Sequence, residues 1–250
     1  FTDSESYVNP DKKVLIEDFT GHLCPNCPNA AREIEAIHNF YGDQIIALAI
    51  HVSPDFARPY PANQAPSFQY DFRTEWGNNW DNFYNISNNG LPKGMINRIG
   101  YQNESHVLGK DEWASIVANE LKKETDFSIS IEADTNEITV YSTLENTVSN
   151  SYNLVVCLTE SNIINWQKDG QNNIEDYQHN HVLRSVVYDD KLANQSTLVS
   201  GTVLENNIDN ININQLEQEN IDYSNNIDEG NGNAGGWNTD NMSVIAYIYN

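Results

Sequence analysis

The chain has 250 residues, of which 39% are hydrophobic, and its 36 acidic residues against 13 basic ones give a formal net charge of -23. This length and hydrophobic content can form one large domain or two ordinary ones. Because such a charge repels phosphates and anionic membrane surfaces, the composition excludes nucleic acid as a partner.

The first predicted elements are a strand, a cysteine motif and a helix. The apolar run at residues 14–19 predicts a strand, and the amphipathic segment at residues 30–40 predicts a helix. Cys24 and Cys27 lie between them, two residues apart. A thiolate at a helix start faces unpaired N–H groups and the positive end of the helix dipole, which lowers its pKa. A thiol-disulfide exchange centre is therefore expected here.

The residues of the motif predict different roles. Cys24 is expected near the surface, where it would attack a substrate disulfide, and the deeper Cys27 would resolve the mixed disulfide. Pro25 suits the first helical turn because it has no N–H group, and Asn26 adds no charge. His22 either lowers the pKa of Cys24 as a nearby cation or is a lone exposed histidine, and the second interpretation is favoured.

The next elements are a buried strand and an aromatic segment. The nearly continuous apolar run at residues 44–52 is typical of a strand covered on both faces, as in a parallel sheet. Residues 53–90 then carry nine aromatic side chains. We favour extra core for this segment over a binding surface or a lid on the cysteines. A lid that sealed the motif would leave a structural disulfide.

The remaining elements change from helical to alternating patterns. A hairpin is predicted from residues 95–100 and 105–108, and a helix from residues 110–123. Beyond residue 126 the pattern has period two, which predicts an antiparallel sandwich. Residues 205–240 are too polar and glycine-rich to be all core and are predicted as a long loop region with one strand at most. The predicted strands are residues 127–133, 137–141, 152–159, 181–187, 197–204 and 243–249.

Four segments together resemble a known family. They read VLIEDFTGHLCPNCP at residues 14–28, YDFRTEWG at 70–77, GLPKGMINR at 90–98 and HNHVLR at 179–184. In this order they resemble the Omp28-related outer membrane proteins of Bacteroidetes. The resemblance implies an α/β thioredoxin-like domain followed by an all-β domain, in an envelope or cell-surface protein. We expect the first domain at residues 1–125, with an insertion at 53–90, and the antiparallel sandwich at residues 126–250.

The thioredoxin-like fold implies two further site residues. Thioredoxins place a cis-proline loop against the cysteine pair, and Leu91-Pro92 is the candidate for it. They also carry a buried acid six residues before the first cysteine, which here is Asp18. A buried carboxylate with a raised pKa could take the proton of Cys27. The alternative, that Asp18 or Glu17 caps or pairs locally, stays equally open.

Metal binding is the third chemical interpretation. Cys24, Cys27 and His22 could hold copper or zinc, but the fourth ligand of a zinc site is not visible. His179 and His181 alternate onto one face of a strand start, where a structural pair is favoured over a metal pair. Residues 228–233 have oxygen ligands without EF-hand spacing, so no calcium is expected. No cofactor is predicted.

Three functional classes follow from these residues. They are an envelope thiol-disulfide oxidoreductase, a cell-surface binding protein stapled by its disulfide, and a metal-handling protein. The expected partner is a protein or a disulfide-bearing substrate. No apolar run approaches the roughly 18 residues of a membrane span. Membrane association is therefore expected only through a processed or missing terminus.

Overall fold

The computed structural model describes residues 8–195 and 197–250, so residues 1–7 and residue 196 lie outside it. Its first elements are β1 (Val14–Thr20), α1 (Cys27–Tyr41) and β2 (Ile45–His51). All residues of β1 are buried, because elements cover both faces of the strand. It pairs in parallel with β2, from Val14 opposite Ile45 to Thr20 opposite His51. The predicted order of strand, motif and helix is confirmed.

The chain then returns to β1 from its other side. The elements are α2 (Pro54–Ala57), α3 (Glu75–Tyr84), β3 (Lys93–Ile96) and α4 (Lys110–Glu120). β3 pairs antiparallel with β1. The predicted hairpin is reduced to one bridge between Gly94 and Leu108, because a short helical turn at Tyr101–Asn103 separates its arms. α4 begins where predicted and buries Trp113 and Val117.

The aromatic segment at residues 53–90 contributes mainly to the core. Phe68, Phe72, Trp80 and Tyr84 are buried, whereas Phe83 is 64% exposed. Trp80 and Tyr84 belong to the same apolar cluster as the two cysteines. The favoured interpretation as extra core therefore describes most of this segment.

The second half contains more regular structure than the sequence predicts. Its elements are β4 (Phe127–Ala133), β5 (Ile138–Leu144), β6 (Asn153–Glu160), β7 (Ile163–Asp169), β8 (Asn172–His179), β9 (Val182–Lys191), β10 (Val203–Ile208), α5 (Ile213–Asn226) and β11 (Met242–Tyr249). The prediction of a loop over residues 205–240 is wrong where α5 lies. This helix buries Asn220 and Ser224, so it lacks the apolar period that marks a core helix. Of the helices in residues 8–195 and 197–250, none has the length and apolar character to cross a membrane.

Strands from both halves share one sheet. The six-stranded sheet has the order β11-β6-β9-β2-β1-β3, and smaller sheets have the orders β10-β5-β4 and β7-β8. A separate antiparallel sandwich is therefore not confirmed, since three of its expected strands extend the α/β sheet. Alternation identifies the buried face of a strand but not its neighbours. The domain boundary after residue 125 stays a prediction, and the six-stranded sheet crosses it.

Different elements cover the two ends of the six-stranded sheet. One apolar cluster joins β1 and β2 to α1 and α4. Another joins β6, β9 and β11 to the three-stranded sheet. A third contains Phe19, Leu48 and Trp80 together with both cysteines. The two cysteines are therefore part of a buried apolar cluster.

Candidate functional site

The two cysteines form a disulfide at the start of α1. Their Cα atoms are 5.4 Å apart. Cys27 is the first residue of α1, which follows Asn26. The Cys24 N–H donates to Gly21 O at 3.0 Å and the Cys27 N–H donates to Cys24 O at 3.3 Å, so the motif folds as a tight turn. The predicted position of the pair is confirmed.

Both sulfur-bearing side chains are buried, which the sequence did not predict. Cys24 is 1% exposed and Cys27 is 2% exposed. The expectation of a surface Cys24 is therefore wrong for this conformation. Pro25 and Asn26 are exposed and form the accessible part of the motif.

The hairpin β7–β8 packs on the motif, in addition to the apolar cluster that contains both cysteines. Its first strand and its turn make hydrogen bonds to the motif, and an exposed ion pair joins the hairpin to α1. No pattern in the sequence predicted this cover. The contacts are Lys168 N–H to His22 O at 2.9 Å, Gly170 N–H to Pro25 O at 2.8 Å, Gln167 Nε2 to Gly21 O at 3.3 Å, Gln167 Nε2 to Cys24 O at 3.2 Å, and Arg32 Nη1 to Asp169 Oδ2 at 3.1 Å.

Asp18 is a buried acid without a salt-bridge partner. It is 3% exposed, and its Oδ1 atom has no hydrogen-bond partner among the described residues. Burial raises its pKa from 3.8 to about 8, so the carboxyl group is mostly protonated at neutral pH. The neighbouring Glu17 pairs instead with Arg98 at 2.8 Å. Glu17 therefore pairs with a residue 81 positions away, whereas Asp18 has no salt bridge among the described residues.

His22 lies in the aromatic core. It is 1% exposed, so the favoured expectation of an exposed histidine is wrong. Its Nε2 donates to Arg58 O at 2.8 Å, and its ring lies 5.6 Å from both Phe68 and Phe72. Burial lowers its pKa to about 4. A neutral imidazole at neutral pH does not provide the positive charge that would lower the pKa of Cys24.

The Leu91-Pro92 peptide bond is cis, as the thioredoxin resemblance predicts. Leu91 is buried in the apolar cluster that contains Cys24 and Cys27. The structure therefore brings Leu91 together with the cysteine pair. A direct role of Pro92 in substrate contact stays a prediction.

A cleft of about 740 Å³ lies beside the motif. Residues of α1, β2, β8 and β11 line it, and Asp18 and Cys27 both face it. His51 and His179 also line it, although the sequence did not group them with the motif. His51 is the last residue of β2, and His179 is the first residue of the segment HNHVLR that resembles the Omp28-related proteins. Each was therefore only weakly indicated as a site residue.

The proposed metal ligands do not assemble. No group of three or more His, Cys, Asp or Glu side chains suited to a metal occurs in residues 8–195 and 197–250. His179 is buried and His181 is exposed, because His181 turns between β8 and β9 with a φ of 56°. At residues 228–233, the Arg73 guanidinium donates to Asp228 O and Glu229 O, both at 3.2 Å. These two carbonyl oxygens therefore accept hydrogen bonds from Arg73.

Comparisons with known proteins place the chain in a family. The family model described as Outer membrane protein Omp28 matches residues 78–250, a range that includes Pro92 but begins after the cysteine motif. HBP35 of Porphyromonas gingivalis shares the fold at a TM-score of 0.57 with 13% identity, over 95% of this chain and 69% of that one. A protein from Agrobacterium tumefaciens gives a TM-score of 0.49 with 13% identity, over 79% and 78%. No curated protein sequence matches the chain.

The family match determines the location of the protein. It covers well over half of the chain, and the family is one of outer membrane proteins. The protein is therefore located in the cell envelope, in association with the outer membrane. The chain is a member of the Omp28 outer membrane protein family.

Proposed function

We propose that this family member is an envelope thiol-disulfide exchange protein whose thioredoxin-like part uses Cys24 and Cys27 as its redox pair. The observation that carries the proposal is the unpaired carboxyl group of Asp18, which lines the same cleft as Cys27. A buried carboxyl group without a partner costs free energy, and perturbed pKa values cluster at functional sites. A purely structural disulfide would not need a buried, unpaired carboxyl group in the same cleft.

The proposed reaction starts from the reduced pair. The Cys24 thiolate attacks a substrate disulfide, which forms a mixed disulfide and releases one substrate thiolate. The ionised form of Asp18, which is the minor form at neutral pH, takes the proton of Cys27, and the Cys27 thiolate then attacks the Cys24 sulfur. The second substrate thiolate leaves, so the substrate is reduced by two electrons and the pair is oxidised. A pKa of about 8 suits Asp18 to accept and return a proton near neutral pH.

The hairpin β7–β8 acts as the gate in this proposal. The described conformation leaves Pro25 and Asn26 as the exposed part of the motif, so a substrate meets them first. Cys24 reacts only after the hairpin moves. The hairpin forms its own two-stranded sheet and is joined to the motif by hydrogen bonds, so it can open without unpairing the six-stranded sheet. The partner is a disulfide-bearing protein.

A second candidate is a cell-surface binding protein with a structural disulfide. The near-complete burial of both cysteines favours it, because thiol exchange requires access to a sulfur atom. The two candidates make opposite predictions about reactivity. Copper or zinc handling has no comparable observation in its favour.

Reduction of insulin by the protein tests the two candidates. We expect turnover with dithiothreitol as electron donor, and we expect Cys24→Ser to abolish it. Cys157 is buried and burial raises the pKa of its thiol, so it does not replace either cysteine. Absence of turnover, together with a reduced pair that resists alkylation under native conditions, would show that the disulfide is structural.

The gate is tested by Gln167→Ala. This change removes two hydrogen bonds to the motif, at Gly21 O and Cys24 O. Since each net hydrogen bond contributes about 1 kcal/mol, opening and the alkylation rate of the reduced pair should rise by about tenfold or more. Gln178→Ala is the matched control, because Gln178 lies on the same hairpin and bonds to Asn162 and Asn180. Equal alkylation rates in the two variants would remove the gate from the proposal.

A further inference from the structure

The cleft beside the motif has the size of a small-molecule site. Its volume of about 740 Å³ lies within the range of roughly 300–1,000 Å³ that ligand pockets occupy. Apolar side chains of three elements line part of it. They are Ile34 of α1, Ile45, Ile46 and Ala47 of β2, and Val244 and Ile245 of β11.

Three buried polar side chains line the cleft with unused hydrogen-bonding atoms. Asp18 Oδ1, His51 Nδ1 and His179 Nε2 each have no partner among the described residues. Their side chains are 3%, 4% and 4% exposed. The His51 and His179 rings are 5.5 Å apart, and Asp18 lies opposite Ala49, two residues before His51 on the same face of β2. An unsatisfied buried polar atom costs roughly 1–3 kcal/mol, so a bound polar group would relieve this cost.

This polar end of the cleft carries no formal charge at neutral pH. Burial raises the pKa of Asp18 to about 8 and lowers that of His179 to about 3, and it lowers the pKa of His51 well below its usual value. The charged side chains of α1 that line the cleft, Arg32 and Glu35, are exposed at its outer part. A charged ligand group placed at the polar end would therefore lose its hydration without gaining a counter-ion.

We propose that this cleft binds an uncharged, mostly apolar small molecule with one hydrogen-bonding group. The apolar part contacts Ile45, Ala47 and Val244, and the hydrogen-bonding group lies at the end of the cleft that Asp18, His51 and His179 line. This site goes beyond thiol-disulfide exchange and does not depend on it, because the cleft is present in the disulfide form.

Two fluorescent probes of nearly equal shape test the proposal. N-phenyl-1-naphthylamine is neutral and carries one N–H group, and 8-anilino-1-naphthalenesulfonate is the same molecule with an added sulfonate. We expect the disulfide form of the protein to bind the neutral probe at least about tenfold more tightly than the anionic one. Equal or tighter binding of the anionic probe, or no binding of the neutral one, would overturn the proposal.

A matched pair of variants on α1 locates the bound probe. Ala31 is half-buried and lines the cleft, whereas Ala36 is exposed on the same helix and does not line it. Ala31→Phe fills the cleft and should weaken binding of the neutral probe by about tenfold or more, while Ala36→Phe should leave it unchanged. Ala49→Leu fills the floor of the cleft as a second variant, and circular dichroism checks the fold of each. Unchanged affinity in both filled variants would show that the probe binds elsewhere.

Discussion

Asp18→Asn is expected to raise the free energy of unfolding at pH 7 by about 4 kcal/mol. In the folded protein burial raises the pKa of Asp18 from 3.8 to about 8, so folding at neutral pH requires the carboxyl group to take up a proton. Each pH unit above the unfolded pKa adds about 1.4 kcal/mol to that cost. Asparagine has the same shape and needs no proton, so the variant avoids the cost.

The same substitution should remove the part of the pH dependence of the free energy of unfolding that Asp18 causes. Because the folded state holds the proton and the unfolded state releases it, the contribution of Asp18 to stability is complete below about pH 4 and is lost as pH rises to about 8. Urea unfolding of both proteins at about pH 5, 7 and 9 should therefore give a difference that grows with pH.

The exposed Asp209 supplies the control for this prediction. Asp209→Asn should change the free energy of unfolding by less than about 0.5 kcal/mol. If Asp18→Asn and the wild type have equal stability at all three pH values, the Asp18 carboxyl group is ionised or paired in the folded protein. Asp18 would then be too weak a base for the proposed proton transfer from Cys27.

Glu17→Gln is expected to lower the free energy of unfolding by about 3–5 kcal/mol, because it leaves a buried charge without its partner. Glu17 is fully buried and Arg98 is 6% exposed. The Arg98 guanidinium donates to both carboxylate oxygens of Glu17 and to the Tyr247 hydroxyl, while its Nη1 atom has no partner among the described residues. Four aromatic rings surround the guanidinium, and they cannot replace a carboxylate.

A double variant and an exposed pair complete this test. Glu17→Leu with Arg98→Met replaces the pair by apolar side chains and should recover much of the loss. Arg32→Gln breaks the exposed pair with Asp169 and should cost less than about 1 kcal/mol. Urea unfolding curves measure the free energy of unfolding of Glu17→Gln, of the double variant and of Arg32→Gln. A loss in Glu17→Gln no larger than in Arg32→Gln would contradict a buried, charged pair.

Local patterns predicted the centre of this fold well. The strand at residues 14–19, the cysteine motif and the helix after it are adjacent in the sequence, so their order could be deduced. The helix begins at Cys27, however, and not at Cys24 as expected. The alternating strands of the second half were also recognisable one by one. Their assignment to sheets was not, because strand pairing depends on contacts between distant segments.

The cover over the motif could not be predicted for the same physical reason. Gln167 bonds to Cys24 across 143 residues, and the hairpin that carries it is largely polar. The helix α5 was missed because its buried residues are polar. Ser224, for example, donates to Asp71 at 2.7 Å, a contact that spans 153 residues. Residues buried for a distant hydrogen bond leave no apolar period in the sequence.

The bond between Tyr247 and Glu17 has a consequence for how this protein matures. These residues are 230 positions apart, and β11 is synthesised long after β1. The surroundings of Cys24 and Cys27 therefore stay unfinished while most of the polypeptide is already made. At that stage the two cysteines are more accessible than in the folded protein, where β11 completes the apolar cluster around them.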